Sequence, residues 1–313
     1  MRTAFAVFAL MGIVSSAHAA ADIEAALSNV RASCGGISAE LNQMKTMAGI
    51  GTGVSAAGTV AGGVALGTGI AKSQAETTID LLNKYLEDLE DKSTFIEYKG
   101  VTKDELDKLI SGLSVKSGAS ETEVVKGMIG VLDKKSEKLG NIRTGTLAAT
   151  TAANIAGAAV GGINMKKAKG SLTEQVSECL ASIKELSAAY GQARISRTAS
   201  EEDLGRIETI VRVCNEWSTV DLSKIDKRAT GSFASSVVGA TTGAAGTITS
   251  ALANSSDVRE VGGAKEKNLN TASNVLAGGA TVASTAATIF NATQISAIKR
   301  ASTVADACEG ALN

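Results

Sequence analysis

The stretch 46–71, TMAGIGTGVSAAGTVAGGVALGTGIA, holds eight glycines in 26 residues and not one charge. Read as a helix, it sets small residues four apart on one face: Gly49, Gly53, Ala57, Ala61, Ala65 and Gly69. A glycine in a helix interior costs about 1 kcal/mol relative to alanine. Such a helix therefore requires compensation from close backbone packing, with weak Cα–H···O contacts, along a small-xxx-small face. The alternative is a flexible Gly/Ala/Ser/Thr linker.

Three further charge-free segments favour the helical reading. In 144–165 the row is Gly145, Ala149, Ala153, Gly157 and Gly161; in 229–256 it is Ser235, Gly239, Gly243, Thr247 and Ala251; in 268–298 it is Gly279, Ala283 and Ala287. The chain contains no proline, which suits long uninterrupted helices.

Four cysteines frame these segments in the order cysteine, segment, segment, cysteine, twice over: Cys34 and Cys179 outside the first pair, Cys214 and Cys308 outside the second. Each lies in an apolar seam of alternating three- and four-residue steps, such as Val30, Cys34, Ile37, Leu41, Met44 or Val176, Cys179, Ile183, Leu186. Antiparallel helices joined at Cys34 and Cys179 pair residues whose numbers sum to 213, which maps 46–71 onto 142–167. A Cys214–Cys308 link maps 268–298 onto 224–254. Both images coincide with observed quiet segments within about one helical turn, which favours these two disulfides over the other connectivities four cysteines allow.

The expected architecture is all-α: two disulfide-stapled antiparallel helical hairpins with glycine/alanine-zipper faces, forming an elongated bundle, plus a small helical head. The first hairpin occupies 20–195 and the second 196–313. The second turns through a short polar stretch, 257–267. In the first, the tip expands to 73–140, with ten lysines and fourteen acidic residues. Leu81, Leu82, Tyr85, Leu86 and Leu89 form one apolar stripe there. Thr102 with Glu105 and Ser120 with Glu123 fit capping boxes. They precede Leu106, Leu109, Ile110 and Leu113, expected to pack on Val124, Val125, Met128, Ile129 and Leu132. The acidic run Glu87, Asp88, Glu90, Asp91 lacks the alternating ligand loop of a calcium site and reads as a solvated helix face.

At the N-terminus, Arg2, an apolar run from Ala4 to Val14 and the triplet Ala17-His18-Ala19 describe a secretory signal peptide, 1–19. The mature chain is then expected in the periplasm or secreted fraction, where paired cysteines persist. His18 is the chain's one histidine, so the mature protein lacks histidine-based nucleophilic or metal chemistry. Removing Arg2 takes the 31 basic and 32 acidic residues to a net charge near −2, which gives no case for nucleic acid. No catalytic, cofactor or metal residues are assigned, and Trp217 is expected to pack beside Cys214.

The quiet segments resemble in composition the glycine-zipper segments of small bacterial envelope lipoproteins. Ala20 stands where those need a lipidated cysteine, so the resemblance implies no lipid anchor. The expected function is non-enzymatic: helix–helix self-association, or binding to an envelope protein through the head. The alternative is a membrane-active protein that inserts its glycine-zipper hairpins into a bilayer or forms a pore, for 26 helical residues extend about 39 Å. Against it, only seven of the 26 residues in 46–71 are large and apolar.

Overall fold

In the computed structural model, which describes residues 22–91, 94–197, 199–255, 258 and 263–313, the chain is all-α except for one two-stranded ribbon. The expected signal peptide lies outside the described residues, as does part of the expected turn at 257–267. Helix α1 covers 22–34 and stops at Gly35 and Gly36. Gly36 takes φ 90°, a left-handed conformation that a side chain would strain. There follow α2 (Ile37–Leu89), β1 (Glu97–Tyr98), β2 (Val101–Thr102), α3 (Lys103–Ser117), α4 (Glu121–Lys169), α5 (Ser171–Ser196), α6 (Glu201–Cys214), a 3-10 turn (Asn215–Thr219), α7 (Leu222–Ala253) and α8 (Gly263–Leu312).

The chain forms two compact units. The first comprises Met1–Val54, Ala156–Ser236 and Ala286–Asn313, the second Ser55–Ile155 and Val237–Thr285. Each unit draws on both halves of the chain.

The core of the first unit is built around the disulfides Cys34–Cys179 and Cys214–Cys308. Val30, Ile37, Leu41, Met44, Leu172, Val176, Ile183 and Leu186 are buried around them, as the apolar periodicity predicts. In α6 the buried positions are Ile207, Ile210 and Cys214, followed by Trp217; Leu204 and Val211 are half-buried.

In the second unit α2 runs on through the expected tip to Leu89, and the head is completed by the ribbon, α3 and the start of α4. The ribbon pairs Glu97 with Thr102 and Tyr98 with Val101. Its turn residues, Lys99 and Gly100, both have positive φ, the geometry a two-residue hairpin loop requires. Leu82, Tyr85, Phe95, Leu106, Ile110 and Val125 form the head's core. Leu109 and Leu113, expected inside, are exposed at 53% and 38%. The carboxylate of Glu105 accepts from the Thr102 backbone N–H and hydroxyl, and that of Glu123 does the same at Ser120.

The quiet segments are helical, yet the buried row is not the one spaced by four. Along α2 the buried residues are Ala48, Gly51, Ser55, Gly58, Gly62, Ala65, Gly69 and Lys72. Along α4 they are Arg143, Leu147, Thr150, Asn154, Gly157, Gly161 and Asn164. Ser232, Ser236, Gly239, Gly243, Gly246 and Ser250 continue the pattern in α7, and Ser273, Ala277, Ala280, Ser284, Ala287 and Asn291 in α8.

All four alternate steps of three and four. A step of four turns about 400° and drifts some 40° past the face it started from, whereas alternating steps hold one face. The expected rows therefore wind around their helices. Gly49, Gly53, Ala57, Gly145, Ala149 and Gly279 are exposed; Ala61, Ala153, Ser235 and Thr247 are half-buried and Ala251 is exposed; Ala65, Gly69, Gly157, Gly161, Gly239, Gly243, Ala283 and Ala287 are buried.

Candidate functional site

The inward faces of the quiet segments are small and polar. In the second unit, a Cβ built on Gly58 would lie 3.1 Å from Ser284 Oγ and 3.3 Å from Ala153 Cβ. One on Gly239 would meet Asn154 Cγ at 2.7 Å, and one on Gly243 would meet Thr151 Oγ1 at 2.7 Å. Ser284 donates to Asn154 Oδ1 (3.0 Å), and Ser273 to the Gly246 carbonyl (3.0 Å). In the first unit Ser232 donates to Asn291 Oδ1 (2.8 Å), and Gly51 admits the same asparagine, whose Nδ2 would be 2.9 Å from a Cβ there.

Where the charge-free runs end in the second unit, charges are buried. Lys72 and Arg143 are 1% and 0% exposed. Lys72 Nζ lies 3.3 Å from Glu76 and 3.6 Å from Glu266, and donates to Asn254 Oδ1 at 2.7 Å. Arg143 donates to Asn270 Oδ1 (3.3 Å) and to its carbonyl (3.1 Å), while the Asn270 amide donates to Glu76. Buried charges persist when paired and hydrogen-bonded in this way.

The outward faces are the reverse. Ile50, Val60, Val64 and Ile70 are exposed on α2, Ile155 and Ile163 on α4, Val237, Val238, Ile248 and Leu252 on α7, and Val275, Val282 and Ile289 on α8. Between them lie open glycines: nothing stands within 4 Å of a Cβ built on Gly49, Gly53, Gly63, Gly67 or Gly145. By length and composition, three helical stretches among the described residues are apolar enough to cross a membrane: Asp22–Leu89, Glu121–Ser196 and Ala264–Leu312. Only 28%, 28% and 33% of their apolar windows is buried, so that apolar surface faces outward.

The disulfides form one layer, for the sulfurs of Cys34, Cys179 and Cys308 all lie within 4.8 Å of one another. Trp217 is buried in the same core as Cys214. Paired cysteines point to an oxidising compartment.

In the head, the acidic run is structural at Asp88, a correction to its reading as a solvated face. Asp88 accepts from Lys103 (2.5 Å) and from the Phe95 N–H (2.9 Å), and Glu90 pairs with Lys126 (3.1 Å). The lysine contact and then the backbone hydrogen bond hold the Asp88 carboxyl below the usual carboxylate range. Tyr85 donates to Asp107 Oδ1 (2.5 Å), and burial raises its hydroxyl pKa. An apolar groove of about 810 Å³ is lined by Leu113, Val124, Met128, Val131 and Leu132, with Lys116 and Glu123 among its polar residues.

The signals missed in the sequence were the ribbon and the phase of the quiet helices. The first was available in Lys99-Gly100 between short β-prone pairs. No family model, curated protein or solved structure matches this chain.

Proposed function

We propose that this is an exported, non-enzymatic helical protein of the periplasm or secreted fraction that acts by helix–helix association, with a second copy or an envelope protein. Its glycine- and alanine-lined hairpins serve this in two ways. The inward small residues let its own helices approach, and the outward ones offer the same kind of surface to another helix. The observation that carries the reading is the row Gly49, Gly53, Ala57 on α2, which is exposed, charge-free and open at both glycines. An outward row of this kind admits a second backbone at close range. The head, with its groove along α3 and α4, is the element suited to a specific partner.

The test is sedimentation of the full, disulfide-intact chain over a concentration series, with Gly49→Leu/Gly53→Leu beside it. Leucine at these open positions leaves the internal packing alone and blocks the outer face. Loss of association at unchanged melting temperature supports association between copies through this face; a monomer at every concentration, or association indifferent to the substitution, refutes self-association and leaves the envelope protein as the partner to be sought.

A second reading rests on the exposed Ile and Val residues: insertion of the quiet segments into a bilayer. Dye leakage from vesicles and a carbonate-resistant membrane pellet favour insertion, and recovery in the soluble fraction without leakage disfavours it.

A further inference from the structure

The quiet segments end differently at their two ends. In the second unit the flanking charges are mixed, with Lys72 and Arg143 set among Glu76 and Glu266. In the first unit basic residues outnumber acidic ones, and packing brings them to one level. Lys167 Nζ donates to Gln43 Oε1 (2.6 Å), which sets α4 against α2. Gly161 lies against Phe233, which sets α4 against α7. Arg228 Nη1 donates to the Thr293 carbonyl (2.6 Å), which sets α7 against α8, and Gly51 against Asn291 sets α2 against α8.

These contacts bring 40–50, 161–171, 221–231 and 293–303 to one level within about two helical turns. Those four stretches carry nine Lys and Arg against Glu40, Asp221 and Asp226. Among the described residues, none of Lys45, Lys166, Lys227, Lys299 and Arg300 is in an ion pair, and the last four are at least partly turned to solvent. The collar also contains a cavity of about 320 Å³ between α7 and α8. Lys224, Arg228, Arg300, Thr219 and Ser296 line it, together with Asp221. Asp221 is engaged locally by Ser223 (2.6 Å) and Lys224 (3.4 Å), and Arg228 commits Nη1 to the Thr293 carbonyl, so the cavity is faced by Arg300 and the other donors of Arg228.

We infer that this basic collar docks the protein on an anionic bilayer surface, with the α7–α8 cavity taking a lipid phosphate. Guanidinium groups suit a phosphate because they donate in pairs to its oxygens. Clustered lysines and arginines are drawn to anionic headgroups within a screening length. A bilayer is favoured over a nucleic acid because the collar adjoins charge-free helix faces carrying exposed apolar residues: Ile50 on α2, Ile163 on α4 and Ile289 on α8. The inference does not rest on self-association; a monomer has the same collar.

The experiment is co-sedimentation of the full, disulfide-intact chain with phosphatidylcholine vesicles, with and without phosphatidylglycerol. Expected are binding that requires phosphatidylglycerol, loss of binding at high salt, and on the order of a hundredfold weaker binding by Lys227→Gln/Lys299→Gln/Arg300→Gln, at about 1 kcal/mol for each charge removed. Lys134→Gln/Lys135→Gln in the head, which removes exposed charge elsewhere, should bind as the wild type does. Equal binding to neutral vesicles, or equal binding by the collar variant, overturns the inference. So does displacement by inorganic phosphate at unchanged ionic strength, which would make the cavity a free-phosphate site, or tighter binding to duplex DNA than to the vesicles.

Discussion

A Cβ on Gly161 would lie 3.0 Å from the Cα of Phe233 and 3.1 Å from its backbone nitrogen, so α4 and α7 meet there main chain against main chain. Backbone atoms cannot swing aside as a flexible side chain does. Gly161→Leu must push the helices apart, at a cost on the order of 1–3 kcal/mol or more. Gly145 lies on the same helix with open space at its Cβ position, and Gly145→Ala should stabilise by about 0.5–1 kcal/mol through helix propensity. Chemical denaturation of the two variants checks both signs.

Gln294 is fully buried in α8, and among the described residues neither atom of its amide has a hydrogen-bond partner. An unpartnered buried polar group costs about 1–3 kcal/mol. Gln294→Leu, similar in bulk and without that cost, should therefore raise the denaturation midpoint. A lowered midpoint would show that the amide is satisfied in solution.

The Cys308 sulfur lies within 4.8 Å of both sulfurs of the Cys34–Cys179 bond. In Cys214→Ser the Cys308 thiolate can attack that bond, forming a new disulfide to Cys34 or Cys179 and releasing the other as a thiolate. Non-reducing peptide mapping of this variant should find Cys308 linked to one of them in part of the sample. A uniform Cys34–Cys179 bond with a free Cys308 would mean that the buried layer holds the sulfurs out of line for attack.

Asp88 and Lys103 tie the end of α2 to the start of α3. Their hydrogen bond lowers the pKa of Asp88 and raises that of Lys103. Asp88 contributes stability above the ordinary carboxylate range, lost as pH falls through its lowered folded value. Lys103 contributes below the ordinary lysine range, and that contribution is lost as pH rises through its raised folded value. The pair is therefore intact across neutral pH. Asp88→Asn should speed hydrogen exchange over 95–106 at neutral pH, and the difference from wild type should vanish in strong acid.

The parts of the fold legible in the sequence are those where large and polar side chains alternate. Val30, Ile37, Leu41 and Met44 carry their phase in the sequence, since each stands out from its polar or small neighbours, and all are buried. Leu106 and Ile110 are buried likewise, whereas Leu109 and Leu113 share the same helix but lie toward its outer side. In the quiet segments Gly, Ala, Ser and Thr occupy both faces, so composition carries no phase; the row through Gly49 and Gly53 and the row through Gly51 and Ser55 are equally plausible on paper. Partnering decided between them, for Asn291 fills the space beside Gly51 and nothing lies beside Gly49.

The all-α class, the extent of the charge-free segments and the choice of disulfide partners can be read along the chain, because they follow from local propensity and from counting along antiparallel helices. Which faces look inward, that the two disulfides share one layer, and that the stretches carrying Lys45, Lys166, Arg228 and Arg300 come to one level are set by packing. Those properties belong to residues far apart in the chain, and packing, rather than any local preference, brings them to the same level.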